Sequence, residues 1–304
     1  MSFPLNSNSH LGSPLSSISR IDDQLTAEEL HPRMQAILSR KIHGLSLSVY
    51  LDGQDPVRKS QISDEQIKTR LEIIKPYTQW IRVFSCTSGH ENIPRIAREM
   101  GFKTLVGAWL DNDRDANEIE IENLCRLASE GYADIAAVGN EVLLREDLSE
   151  AELISYIKRV KDCLPGIPVG YVDAYYLFRE HPNVAAVCDL IMANCYPFWE
   201  FCNLEQSVDY MKQMYKIAQE AGHGKPVIIS ETGWPSQGSS QGDAVPSLEN
   251  SARYFVHTYE WANAENINIF YFSSFDESWK VGPEGDCGAY WGLWDKDGHY
   301  KYEF

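Results

Sequence analysis

No run of this chain approaches 18 apolar residues, the length a helix needs to cross a bilayer, so no transmembrane helix and no membrane partner are expected. Residues 1–20, MSFPLNSNSHLGSPLSSISR, lack the charged start and apolar centre of a secretory signal. That leaves the compartment open between the cytoplasm, an unusual export route and a mature form whose signal is gone. Positive charge is scarce as well: 27 Lys and Arg stand against 44 Asp and Glu, a formal charge of −17. Phosphate recognition depends on clustered cations, so nucleic acid and anionic membranes are excluded as partners and a neutral substrate is favoured. Solubility alone is the plainer explanation of an acidic surplus.

Metal motifs are missing too. There is no HExxH and no paired CxxC, and the eight histidines are widely scattered, so neither a metal nor a cofactor is expected. A phosphate-binding barrel is disfavoured because Trp234 and Pro235 interrupt the glycines of SETGWPSQG and Glu231 would repel phosphate. Seven cysteines cannot all pair within one chain. Cys86, Cys125, Cys163 and Cys188 fall in or beside core elements and read as buried thiols. Cys195, Cys202 and Cys287 fall nearer loops, where a disulfide is open but no spacing motif supports one.

What the chain holds is an alternation of strand and helix patterns, the sign of a parallel sheet covered by helices. Residues 1–26 read as a flexible extension, followed by a short helix near 27–39. Eight strands are expected at 44–51, 80–86, 104–110, 135–141, 168–174, 190–197, 226–231 and 268–277. Capping-box spacings at Ser63/Gln66 and Ser149/Glu152 open two of the helices between them, with Ile62 and Ile67 at staple positions. Eight strands with intervening helices predict an α/β fold, a (β/α)8 TIM barrel forming a single domain over residues 27–304.

Two glutamates end such strands, Glu141 in AAVGNE and Glu231 in VIISETGWP. Cleaving a glycosidic bond needs one carboxylic acid to protonate the leaving oxygen and a second carboxylate at the anomeric carbon, and the ends of barrel strands are where such groups sit. A strand-end carboxylate also serves as a structural ion-pair partner, but two of them, flanked by Asn140 and by Trp234, favour the chemistry. Strict alternation puts Ala137, Gly139 and Glu141 on one face of the fourth strand, Val169, Tyr171 and Asp173 on one face of the fifth, and Tyr271, Ser273, Phe275 and Glu277 on one face of the eighth. The strand ends thus line a polar cleft. The aromatic content of 12%, with 8 Trp and 16 Tyr, is high. Aromatic faces stack on sugar rings, although core packing accounts for most of them.

AAVGNE, ANCYPFW, ISETGWP, FDESWK and the terminal GLWDKDGHYKYEF resemble glycoside hydrolase family 17, the β-1,3-glucan-active barrels, from about residue 43 onward. The resemblance implies a retaining enzyme with Glu141 as acid/base and Glu231 as nucleophile. It makes Glu277 and Lys280 an accessory pair beside the nucleophile, with a structural ion pair as the competing reading, and it sets Tyr196 next to Glu231. Substrate contacts are expected from Tyr50, Arg82, Asn140, Asp173, Tyr196, Trp199, Glu200, Trp234, Glu277 and Lys280. The chain is short like the fungal and bacterial members, several of which are transglycosylases, and Trp199 and Glu200 would line the acceptor subsites, or else Trp199 packs beneath its loop. The expectation is a monomer acting on a β-1,3-glucan as a glucanosyltransferase. An endo-β-1,3-glucanase, another linkage specificity and a non-catalytic glucan-binding protein are the alternatives.

Overall fold

The computed structural model describes residues 25–282 and 284–303. The extension expected over residues 1–26 lies, but for its last two positions, outside the described residues. Strands β1 (Ile42–Ser46), β2 (Thr78–Val83), β3 (Lys103–Ala108), β4 (Ile135–Asn140), β5 (Val169–Ala174), β6 (Leu190–Asn194), β7 (Val227–Thr232) and β8 (Ile269–Tyr271) pair in parallel and in sequence order. β8 pairs back onto β1 and closes a (β/α)8 barrel. Among the described residues no helix is long and apolar enough to cross a membrane.

The helices are α1 (Ala27–Ser39), α2 (Asp64–Ile74), α3 (Ile93–Glu99), α4 (Arg114–Ser129), α5 (Glu150–Cys163), α6 (Leu177–Glu180), α7 (Pro182–Val187), α8 (Leu204–Gly222) and α9 (Leu248–Glu265). Their starts follow local chemistry. Ser149 caps α5 by accepting from the Glu152 N–H while the Glu152 carboxylate accepts from the Ser149 N–H, a complete capping box. Ser63 caps α2 in the same way, but the Gln66 side chain does not reach back. It donates to the Val49 carbonyl at 2.6 Å and so ties the helix to the loop after β1. α1 buries Leu30, Met34 and Leu38, one helical face, and packs on α9.

Two cores follow from the closed sheet. Leu105, Ile135, Ala137, Val172, Leu190, Met192, Ile228 and Phe270 fill the barrel interior, and a larger cluster lies between sheet and helices.

Four expectations need correcting. The eighth strand stops at Tyr271 rather than 277: the Phe272 and Ser274 N–H groups still donate to Thr232 of β7 and Ser46 of β1, but the Ser273 N–H donates to the Trp291 carbonyl and the Leu293 N–H donates back to Ser273, which breaks the ladder. Tyr271, Ser273, Phe275 and Glu277 therefore share no face. Tyr271 packs on Phe255 and Tyr259 of α9, whereas Phe275 lies under the Arg70 guanidinium. In β5 the parity holds, but the shared face of Tyr171 and Asp173 turns away from the barrel interior, which Val172 fills. Cys125 and Cys163, expected as thiols, form a disulfide between α4 and α5 with Cα atoms 6.3 Å apart, a helix-to-helix pairing that spacing along the chain does not reveal. Cys195, Cys202 and Cys287 are free and buried, as are Cys86 and Cys188.

Candidate active site

The three register irregularities among the barrel's strand pairs all involve the carboxyl-terminal halves of β4 and β7, which lead to the two glutamates: Ala137/Asn140 in the β4–β5 pairing, Ala193/Asn194 in the β6–β7 pairing and Ile229/Thr232 in the β7–β8 pairing. Such shifts re-aim side chains, so two successive residues can face the same way. In β7, Ile228 fills the barrel, and two successive side chains then reach the site: the Ser230 hydroxyl meets Asn194 and the Glu231 carboxyl meets Arg82, which also bonds the Ser230 carbonyl. In β4, Ala137 faces inward as expected, but alternation fails after it. Gly139 takes φ +85, and a Cβ there would meet Val142 at 2.7 Å. Asn140 is the residue that meets Arg82, and Glu141, at φ +52, reaches the mouth by a left-handed turn beyond the strand.

The two carboxyl groups are built into one hydrogen-bonded circuit. Arg82, at 2% exposure, donates from Nη1 to Glu231 Oε1 at 2.5 Å and to the Ser230 carbonyl at 3.1 Å, and from Nη2 to Asn140 Oδ1 at 2.6 Å. Tyr196 donates its hydroxyl to Glu231 Oε2 at 2.7 Å. Asn194 donates from Nδ2 to Glu141 Oε1 at 2.8 Å and accepts from Ser230 Oγ at 2.8 Å. Both oxygens of Glu231 thus accept hydrogen bonds, the one from Arg82 charge-assisted. Glu141 has different surroundings: burial, then the charge of Glu231, then that of Asp173 push its carboxyl up to about 8, against the Asn194 hydrogen bond and the Arg145 charge. A carboxyl with a raised pKa beside a second carboxyl bonded to a guanidinium and a phenol is the arrangement that acid/base chemistry requires.

Lys280 lies 3.2 Å from Glu277 and 3.8 Å from Glu284, with its ammonium 4.0 Å from the centre of the Phe272 ring. Burial opposes its charge, but the carboxylates of Glu284, Glu277 and Glu231 outweigh burial and raise its pKa. Tyr50 stands edge-on to His90 and Trp279 at 5.3 and 6.0 Å. Trp199, half-buried, lies against Trp291 with centroids 5.4 Å apart. Glu200 Oε2 accepts from the Tyr210 hydroxyl and from Tyr175 at 3.3 Å.

Three residues expected to touch substrate do not face the cleft. Asp173 is fully buried, accepting from the Tyr171 hydroxyl and the Leu144 and Ala174 N–H groups. Trp234 is fully buried between Phe198 and Tyr254 and donates to the Val245 carbonyl. Arg82 is 2% exposed and three of its donors are committed to Glu231, Ser230 and Asn140, so it holds a carboxylate. Three others enter the site unannounced by the chemistry of the sequence: Asn194, legible only as a strand-end polar residue, and Trp291 and Glu284, which sit in irregular loops with no periodicity to mark them. Glu120 on α4 is a fourth. It accepts from Ser85, Thr87 and the N–H groups of Cys86 and Trp109, fastening the ends of β2 and β3.

A protein-family model described as the BtgE/BtgC glycoside hydrolase domain matches residues 44–292. The chain is 30% identical over 257 residues to a glucan 1,3-beta-glucosidase of Candida albicans, covering 76% of this chain and 83% of that protein. It is 24% identical over 265 residues to a glucan 1,3-beta-glucosidase of Saccharomyces cerevisiae, covering 79% and 85%. Among solved structures, the glycoside hydrolase family 17 beta-1,3-glucanosyltransferase of Rhizomucor miehei superposes with a TM-score of 0.77 at 30% identity, over 86% of this chain and 96% of that one.

Proposed function

We propose a reaction from one plain premise: this chain belongs to glycoside hydrolase family 17, through its BtgE/BtgC glycoside hydrolase domain. It acts on β-1,3-glucan as a retaining enzyme and passes the cleaved chain to a sugar acceptor. The observation that carries this reading is the contrast between Glu231, whose two oxygens accept from Arg82 and Tyr196, and the half-buried Glu141, whose carboxyl accepts from the Asn194 amide and has its pKa pushed up to about 8.

In the first step a Glu231 oxygen bonds to the anomeric carbon as the glycosidic C–O bond breaks, and the Glu141 proton goes to the departing oxygen. The ester so formed carries no charge, so the Glu231 contribution to the raised Glu141 pKa, second to burial, falls away and Glu141, now ionised, is fit to act as a base. In the second step it takes the proton of an incoming hydroxyl, whose oxygen bonds to the anomeric carbon while the ester bond breaks and Glu231 returns as a carboxylate. With water the outcome is hydrolysis; with a sugar hydroxyl it is transfer. Transfer prevails only where the acceptor is held in attack geometry with a high effective concentration. The exposed part of Trp199, backed by Trp291, supports such a hold, with Glu200 beside it.

Incubating the protein with a laminari-oligosaccharide and sizing the products tests the reading. Chains longer than the starting material are expected along with shorter ones. Shorter chains alone would leave an endo-β-1,3-glucanase, and an unchanged substrate would leave a glucan-binding protein.

A further inference from the structure

Trp291 is the hub of the aromatic group behind the site. Its ring lies 5.5 Å from Tyr196, 5.4 Å from both Phe198 and Trp199, and 6.0 Å from Phe272. Yet its indole N–H is buried and meets no hydrogen-bond partner among the described residues. No polar contact of its own fixes the ring, so its orientation depends on packing and on the backbone at either side.

That backbone is held at both flanks by one buried ion pair. Lys301 Nζ lies 2.8 Å from Asp276 Oδ1, with side chains 9% and 10% exposed. Asp276 Oδ1 also accepts from the Gly292 N–H at 2.8 Å, on the far side of Trp291. On the near side, the Tyr290 carbonyl accepts from Lys301 Nζ at 3.4 Å and from Ser236 Oγ at 3.1 Å, and Lys301 donates to that same Ser236 Oγ at 2.8 Å. Lys301 itself is delivered by backbone pairing of its N–H with the Leu293 carbonyl. No single hydrogen bond carries this arrangement; a buried ammonium gathers a carboxylate, a hydroxyl and a carbonyl from three segments around residues 236, 276 and 290.

We propose that the Lys301–Asp276 pair is a positioning device for Trp291, and through that ring sets the face of Trp199 offered to an acceptor sugar. The part concerning the acceptor rests on the transfer reading above; the part concerning the ring does not. Neither residue touches the reacting atoms. A pair that served stability alone would leave ring orientation and acceptor dependence unchanged when weakened.

The test labels the protein with 5-fluorotryptophan and records fluorine spectra without ligand, with the Trp291 signal assigned by Trp291→Phe. Lys301→Met should shift or broaden the Trp291 and Trp199 signals and leave that of Trp261, on α9, in place, whereas Lys301→Arg should restore them. Trp291 and Trp199 signals at their wild-type positions in Lys301→Met would overturn the proposal. With laminaritriose as acceptor, the concentration giving half-maximal transfer should rise by about tenfold, as expected when an acceptor platform is misplaced, with a much smaller change in the rate of donor cleavage. An equal loss in both would overturn the acceptor part. Should Lys301→Met fail to fold, Asp276→Asn, which keeps an acceptor for the Gly292 N–H, carries both measurements. If the wild-type enzyme lengthens no chains, the transfer reading has failed and the ligand-free spectra alone judge the pair.

Discussion

Asn194 donates its amide to Glu141 at 2.8 Å while accepting from Ser230, the residue that precedes Glu231. One side chain thereby touches the group proposed as acid and the strand that carries the group proposed as nucleophile. Because the bond runs from an N–H to the Glu141 carboxyl, it favours the ionised form, against burial and the Glu231 charge. Asn194→Ala should therefore raise the Glu141 pKa and move the alkaline limb of the pH profile upward. The second step, which needs ionised Glu141, should slow by about tenfold, the loss of one hydrogen bond to a charged group. Pre-steady-state kinetics with an aryl β-glucoside would separate the two steps, and an unmoved alkaline limb would contradict the assignment.

The Glu141 carboxyl also couples stability to pH. Its pKa stands near 8 in the folded chain and near 4.5 when exposed, so between those values unfolding releases a proton. The contribution of this group is fully favourable below about 4.5 and is lost as pH rises through about 8. Glu141→Gln, which removes the titration, should melt like the wild type at pH 4 and progressively higher than it toward pH 8. Activity of the wild type should fall over the upper part of that window. Parallel melting curves for the two proteins at all pH values would show that Glu141 titrates normally.

Trp199→Ala should shift the product ratio from lengthened toward shortened chains while leaving the first step largely unchanged. The ring is half-buried against Trp291 and Phe198, so one face is committed to packing and the platform role belongs to what remains exposed. An unchanged product ratio would assign Trp199 to packing alone.

Lys280→Met leaves Glu277 and Glu284 without their shared cation near the already charged Glu231. Breaking a buried pair of this kind costs about 3–5 kcal/mol. We expect a lower melting temperature together with a slower first step. Lost stability with near-normal turnover would make the cluster a structural ion pair only.

Removing the Cys125–Cys163 bridge should lower stability by about 3–4 kcal/mol, the loop-closure value for a separation of 38 residues. The bridge joins α4 to α5 on the outside of the barrel, so kcat should hold. Chemical denaturation of Cys125→Ser/Cys163→Ser measures the first effect, and an oligosaccharide assay the second.

The barrel was legible in the sequence because parallel strands buried on both faces read as apolar runs between helical patterns, and Glu141 and Glu231 were legible because both end such runs. What alternation could not supply was the route. The register shifts at Asn140 and near Glu231 set two successive side chains on one face, and Glu141 arrives through a left-handed turn. Asp173 was misplaced for a related reason: the face it shares with Tyr171 is the outer one. The last strand was read too long because its FYFSSFDE sequence reads as β throughout, while from Ser273 onward its backbone is shared with residues 291–294. Lys301, Trp291 and Glu284 were out of reach because they meet the site only through tertiary contacts of irregular loops.

Seven cysteines, one bridge and five buried thiols make the order of events during maturation matter. In an unfolded chain every thiol is open to an oxidant, and the wrong partnerships far outnumber the right one. In the finished barrel Cys86, Cys188, Cys195, Cys202 and Cys287 are shielded, whereas Cys163 lies at the exposed end of α5. The barrel thus proofreads its own oxidation, provided that collapse of the sheet outruns the first disulfide.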